Sequence, residues 1–336
     1  MFKKAAVFTD IHFGLKGNSK QHNLDGENFI DWYIEQAKAN NCETGIFCGD
    51  WHHNRNSLNL TTMDTTIKCL EKLGAAFDKF YMFAGNHDLY YKDKRDVSST
   101  EFARHIPGIT VVDSFTEIED VALVPWLVGD EWRNMASCKA KYMFGHFELP
   151  SFYMNAMVQM PDHGELRAEH FQNQEYVFSG HFHKRQQQGK VHYIGNAFPH
   201  NYADAQDNER GAMFLEWDKE PVYVNWDKCP KYVTMGLREL LEAPDKFLDD
   251  TTHARIKLDV SISYEEANFL RETFAEKYNV RELQLIVVKE EDEVFDGEEI
   301  NFESVDQIVI SQLETIESQL VDTNRLIEIY RNIEIA

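Results

Sequence analysis

The sequence predicts an α/β fold for residues 1 to about 200, followed by a small α+β module and terminal helices. Three observations predict it. Short apolar runs alternate with stretches of helical spacing; five of those runs end on aspartate, asparagine or histidine; and the composition shifts near residue 230.

In chain order, Ala5–Phe8, Gly45–Cys48, Phe80–Ala84, Tyr142–Phe144 and Tyr176–Phe178 read as buried strands, with Phe29–Lys38 and Met63–Leu73 as helices between the earlier ones. Val191–Ile194, Ala212–Trp217 and Val222–Trp226 are further strand-like pieces, the last alternating like a half-exposed strand. Beyond residue 230, Ile256–Ile262 alternates as a strand, Tyr264–Lys277 has helical spacing and Leu283–Val288 is a second apolar strand. Lys289–Ile300 holds seven acidic residues and one lysine, a solvated linker. Val309, Leu313, Ile316 and Leu320 then form a helical stripe, and Leu326, Ile327 and Tyr330 a second one capped by Asp322 or Thr323. These helices pack either on the chain itself or on a partner. The expected division is 1–230 for the α/β domain, 231–290 for the α+β module, 291–303 for the linker and 304–336 for the terminal helices.

Composition narrows the function. Hydrophobic residues at 43% and aromatics at 13% supply a core and exclude a disordered chain. No apolar run approaches the roughly 18 residues that cross a bilayer, so no membrane association is expected. The run behind Met1-Phe2-Lys3-Lys4 stops at Asp10, too short for a signal peptide. Five cysteines, odd in number and with no CxxC pair, argue against a disulfide framework and for a reducing cytoplasm. Cys48, within an apolar run, reads as an inert buried thiol. The net charge of −23 opposes unaided nucleic-acid binding, which draws on Lys and Arg. Either the substrate is not nucleic acid, or cations and a partner subunit supply the positive charge.

The chemistry lies where the strands end. The five runs lead to Asp10-Ile11-His12, Gly49-Asp50, Gly85-Asn86-His87-Asp88, Gly145-His146 and Gly180-His181-Phe182-His183. Open α/β sheets bind ligands outside the carboxyl ends of their strands, so five such clusters converge on one crevice, and a glycine before a ligand lets the chain turn sharply. Singly, each piece has a plainer reading: Asp-x-His and Gly-Asp are common in turns, and His181 and His183 can simply share a strand face. The set of five, in this order, is what points to metal. Two cations roughly 3.5–4 Å apart clamp the attacking and leaving oxygens of a phosphoester displacement, with one carboxylate bridging them. Mixed imidazole, carboxylate and amide donors suit Mn²⁺, with Mg²⁺, Fe²⁺ or Zn²⁺ as alternatives. The cations activate water, so no side-chain nucleophile is required.

These motifs resemble the calcineurin-like metallophosphoesterases. Thr9-Asp10-Ile11-His12-Phe13-Gly14, Gly85-Asn86-His87-Asp88-Leu89-Tyr90-Tyr91-Lys92, Val124-Pro125-Trp126, Gly145-His146-Phe147-Glu148-Leu149 and Phe178-Ser179-Gly180-His181-Phe182-His183 are similar to the SbcD-like double-strand-break-repair nucleases, above all their T-even-like phage recombination endonuclease branch. Tyr193-Ile194-Gly195-Asn196 and Arg210-Gly211 extend the likeness over about 230 residues. The resemblance implies a β-sandwich flanked by helices and a 3′→5′ exonuclease and single-strand endonuclease acting in DNA recombination, repair and replication. It also implies a C-terminal segment docked on an SMC-like ATPase with a coiled coil, and a homodimer within a heterotetramer. By motif it assigns Asp10, His12, Asp50 and His183 to one cation, and Asp50, Asn86, His146 and His181 to the other. His87 becomes the general acid that orients the scissile phosphate. Asp88 either orients His87 or caps the following segment.

One departure stands out. The family pattern Gly-Asp-x-Phe-His or Gly-Asp-x-Phe-Asp is here Gly49-Asp50-Trp51-His52-His53, which makes His53 a catalytic-site residue that supports the ligands or touches substrate and leaves His52 without an assigned role. Asn54, Arg55, Lys184 and Arg185 are candidate DNA contacts, and Lys92, Lys94 and Arg95 form a second basic cluster; ordinary solvated surface is the alternative for all of them. Two rival functions remain: the same chemistry on a small nucleotide or phosphomonoester, which suits the acidity, and a non-catalytic scaffold, which predicts lost ligands where all seven are present.

Overall fold

The computed structural model describes residues 1–154, 158–287 and Arg325. Strands β1 (Lys4–Phe8), β2 (Thr44–Phe47), β3 (Lys79–Phe83), β4 (Ile109–Val112), β5 (Thr116–Ile118), β6 (Val121–Val124), β7 (Tyr142–His146) and β8 (Tyr176–Gly180) occupy the first half. They are followed by β9 (Gln186–Gln188), β10 (Val191–Tyr193), β11 (Gly211–Glu216), β12 (Val222–Asn225), β13 (Lys231–Gly236), β14 (Thr252–Leu258) and β15 (Glu282–Val287). One six-stranded sheet runs β12-β11-β1-β2-β3-β4 and another β5-β6-β7-β8-β10-β9. Within them β1 to β4 are mutually parallel, as are β6, β7, β8 and β10, while β11 and β12 at one edge of the first sheet and β5 and β9 at both edges of the second pair antiparallel.

The two sheets pack face to face, and strand alternation decides which side chains meet. Ala5 and Val7 of β1 join Ile46, Phe83, Tyr142, Phe144 and Phe178 between the sheets. Ala6 and Phe8, one residue out of phase, face helices α1 (Lys20–Ala39) and α2 (Leu60–Ala76). The other sheet buries its outer face under loop residues such as Met135, Phe152 and Phe171. The result is a helix-flanked sandwich, as the family resemblance implied. One expectation is corrected: the five ligand-bearing ends do not come from a single open sheet. β1, β2 and β3 supply three, β7 and β8 the other two, and the crevice spans the common edge of both sheets.

Helix α1 starts well before the expected Phe29, with Ser19 capping His22 N–H at 3.3 Å. Its first turns are polar yet buried, because they brace loops instead of a hydrocarbon core. Asn23 accepts from Gly14 N–H at 2.9 Å and donates to Thr62 at 2.9 Å. His22 Nε2 meets the carbonyl oxygen of His12 at 3.0 Å.

Strands β13, β14 and β15 form a separate parallel sheet, packed with α3 (Leu237–Glu242) and α4 (Tyr264–Tyr278) around Met235, Leu240, Ile256, Phe274 and Leu285. β13 lies outside the sequence expectation. β14 stops short of Ile262 because Asp259 turns aside to accept the Arg238 amide at 3.0 Å. This module meets the sandwich through Arg281, whose guanidinium makes paired bonds of 2.7 and 2.9 Å to the buried Asp25 of α1. The acidic linker and terminal helices expected over 291–336 lie outside the described residues, apart from Arg325. Among the described residues, no helix is long and apolar enough to cross a membrane. All five cysteines are buried thiols.

Candidate metal centre

Six of the seven candidate ligands sit one to four positions beyond a strand and His146 ends β7, and the backbone is strained at four of them. Asp10 (φ 51°), His12 (φ 51°), Asp50 (φ 62°) and His181 (φ 89°) are all left-handed, a conformation that costs about 1 kcal/mol or more for a non-glycine residue. The sharp turns are thus made mostly by the functional residues themselves. Of the glycines before ligands, only Gly49 has a positive φ, of 96°. Gly85 is needed for close approach instead: a Cβ there would lie 2.2 Å from Asp50 Oδ1.

Seven side chains expected to share two cations converge on one place. Asp50 Oδ1 accepts the His87 amide at 2.8 Å, which leaves Oδ2 facing His12 Nε2 at 3.5 Å and His146 Nε2 at 3.4 Å. One carboxylate oxygen thus lies between two donor sets. On one side, His12 Nε2 is 3.8 Å from Asp10 Oδ1 and 3.3 Å from His183 Nε2. On the other, Asn86 Oδ1 is 3.1 Å from His146 Nε2 and 3.0 Å from His181 Nδ1. Ligand atoms about 2.1 Å from a shared cation stand about 3–3.5 Å apart at tetrahedral or octahedral angles, so the spacing fits.

Hydrogen bonds outside the cluster aim the rings inward. His146 Nδ1–H donates to the Cys48 carbonyl at 2.8 Å, which turns its Nε2 lone pair toward Asp50. His181 Nε2 pairs with Glu148 at 3.1 Å and leaves Nδ1 for Asn86. Asp10 is held by the Thr9 hydroxyl at 2.6 Å and the His181 amide at 3.1 Å. Glu148 lay within a recognised motif without a role, and its reach to His181 is visible only in three dimensions. Losing such a partner typically costs 10–100-fold in metal affinity, so Glu148→Gln is expected to weaken divalent-cation binding about tenfold in equilibrium dialysis.

The electrostatics also ask for positive charge. Asp10 and Asp50 are fully buried. Burial opposes charge on Asp50, but the neighbouring His146, His12 and His87 hold its pKa well below the carboxylate norm. Burial likewise opposes charge on His146, yet Asp50 raises its pKa above the usual imidazole value. His12 moves the other way, lowered well below normal by burial and by the imidazoles of His183, His87 and His53. A centre that draws a proton between buried carboxylate and imidazole is one that a divalent cation can occupy by displacing it.

His87 is half-buried at the rim. Its Nδ1–H donates to the His53 carbonyl at 2.8 Å, and the His53 ring stacks on it at 5.1 Å. Asp88 does not orient His87. Its buried carboxylate instead accepts four backbone amides: Gly85 and Asp50 at 2.9 Å, Trp51 at 3.2 Å and His52 at 2.9 Å. It ties the Asn86 loop to the Asp50 loop. His52 is structural, buried between Ser99 at 2.9 Å and Thr66 at 3.4 Å, with burial pushing its pKa down to about 3.

The expected DNA contacts fare unevenly. Asn54 donates to the Gly14 carbonyl at 3.3 Å, and Arg55 has a buried guanidinium nitrogen without a partner. Lys184 lies over the Tyr153 ring at 5.3 Å. Arg185 is committed to the Ile194 carbonyl at 3.2 Å and Asn225 at 2.7 Å, and Arg95 to Glu131 and the Trp126 carbonyl at 2.8 Å. Both guanidinium groups are thus largely engaged within the protein, with Arg185 Nη2 buried and without a partner. Sequence reasoning also missed His22 and His200, two buried histidines beside His12 with ring centres 5.3 Å apart.

Residues 3–185 match the calcineurin-like phosphoesterase family. Exonuclease subunit 1 of Enterobacteria phage T4 is 29% identical over 223 residues, covering 63% of this chain and 64% of that protein, so the match spans somewhat less than two thirds of the relative's length. Among solved structures, nuclease MPE of Pseudomonas putida has 20% identity and a TM-score of 0.30 over 56% of this chain and 66% of that one. A dimetal phosphatase from Danio rerio has 10% identity and a TM-score of 0.40 over 66% of this chain and 95% of that one.

Proposed function

Because the chain belongs to the calcineurin-like phosphoesterase family, we propose that it cleaves DNA as the nuclease subunit of a recombination and repair complex, with Mn²⁺ as its working cation and an SMC-like ATPase as partner. The observation that carries the two-cation reading is Asp50 Oδ2, placed between two sets of imidazole and oxygen donors. DNA as substrate is supported by the phage relative, which is named an exonuclease subunit. The division of the chain at residues 230, 290 and 303 belongs to the same proposal.

In this reading Asp10, His12, Asp50 and His183 hold one cation, and Asp50, Asn86, His146 and His181 the other. When bound, the pair supplies the charge that clamps the attacking and leaving oxygens of an in-line displacement. The protein does the rest. With Nδ1–H spent on the His53 carbonyl, the His87 Nε2 is the atom left to hold a proton for the departing oxygen. His53, stacked on His87, keeps that ring in place. Asp88 fixes the two loops that carry Asp50 and Asn86.

The net charge of −23 favours a second reading, hydrolysis of a small nucleotide or phosphomonoester. With Arg95 and Arg185 committed internally, the isolated chain is expected to bind DNA weakly and to need its partner's cationic surface. End-labelled DNA incubated with Mn²⁺, with and without the ATPase, separates the two readings. DNA cleavage is expected. His87→Ala should reduce it about 100-fold with bound metal unchanged, the scale of general-acid loss. Turnover of a small phosphodiester with no DNA cut under any condition would select the second reading.

A further inference from the structure

We propose that His200 is an additional metal ligand, placing a third imidazole on the His12–His183 side of the centre. The inference rests on the two-cation reading above and concerns a residue that lies outside the seven.

His200 is only 1% exposed, and neither of its ring nitrogens has a hydrogen-bond partner. A neutral imidazole carries one donor and one acceptor, and leaving such groups buried and unmatched is costly, so buried polar atoms normally have partners. The surroundings indicate what the partner is. The His200 ring stands edge-on to His12 at 5.3 Å and to His183 at 5.2 Å. One nitrogen from each of the three rings can be chosen so that all lie within 4.8 Å of one another. Of the remaining ring neighbours Phe198 is apolar, and His22, whose Nε2 is engaged with main-chain carbonyl oxygens, makes no hydrogen bond to the His200 ring.

The loop carrying His200 is braced by groups other than the ring. The His200 amide donates to Asp204 at 2.9 Å. Asn196 reaches the same carboxylate at 3.4 Å. The buried Arg210 grips Asp207 with paired bonds of 2.7 and 2.9 Å and also donates to Asn196. The main chain is thus held in place while the imidazole is left for something else. An added nitrogen donor shifts a mixed site toward Co²⁺ and Zn²⁺ relative to the oxygen-preferring Mg²⁺ and Mn²⁺.

Co²⁺ titration of the full chain tests this, read by visible absorption and by metal content after dialysis. The wild type is expected to take up two ions per chain. His200→Leu, similar in bulk but without a donor, should weaken one of them at least tenfold, and less so when Mn²⁺ is the probe. Equal Co²⁺ affinity in wild type and His200→Leu would show that the ring merely packs or binds water, and would overturn the proposal while leaving the two-cation centre standing. A wild type that binds no Co²⁺ would overturn both. If far-UV circular dichroism shows His200→Leu unfolded, His200→Gln is judged by the same affinity criterion.

Discussion

Asp50→Ala is expected to lower phosphodiester hydrolysis more than about 10³-fold, because on the proposed two-cation reading the charge it would position is worth several kcal/mol in the transition state and each ~1.4 kcal/mol is a factor of ten. Three roles disappear with one side chain. Oδ2 no longer lies between His12 and His146, the His87 amide loses its 2.8 Å acceptor, and the carboxylate that draws positive charge into the crevice is gone. Asp50→Asn keeps an oxygen but not the charge and should fall between wild type and Asp50→Ala. The measurement is initial rate at saturating Mn²⁺ beside metal content of the same preparations. A variant with near-normal turnover, or one that loses activity while holding its full metal complement, would refute the bridging role.

Asp88→Ala is expected to produce the largest loss of stability, about 3–5 kcal/mol, because four buried amides lose their acceptor and unmatched buried donors cost ~1–3 kcal/mol each before relaxation. The four amides belong to two separate loops, so the loss is also a loss of alignment. Activity at low temperature, where the variant is folded, should therefore still drop 10–100-fold, as expected when support behind the proposed metal ligands is removed. Urea unfolding with unchanged m reads the first effect, and turnover at matched folded fraction reads the second. A shift below about 1 kcal/mol would mean that water replaces the carboxylate at these amides.

Much of the centre was legible without coordinates, because metal ligation restricts residue type and strand ends restrict position. Asp10, His12, Asp50, Asn86, His146, His181 and His183 are all brought together where their motifs implied. Less legible was the first half of α1: periodicity detects apolar stripes, whereas His22, Asn23 and Asp25 are buried to brace loops and to meet Arg281. Asp88 illustrates a related limit. Its neighbour in sequence is His87, but its partners are main-chain amides, which leave no trace in residue identity.

The sequence by itself determined the donor set: apolar runs mark the strands, and the side chains that follow them carry imidazole, carboxylate and amide donors of the kind the proposed pair of cations needs. Only the tertiary structure decided that two sheets share the crevice, that Asp88 supports loops and not His87, that Arg95 and Arg185 are spent internally, and that His200 stands beside His12 and His183. The reason is range. Strand alternation and motif spacing act between residues close along the chain, whereas ring tautomers, committed guanidinium groups and unmatched imidazoles depend on atoms that meet only once the sheets have packed.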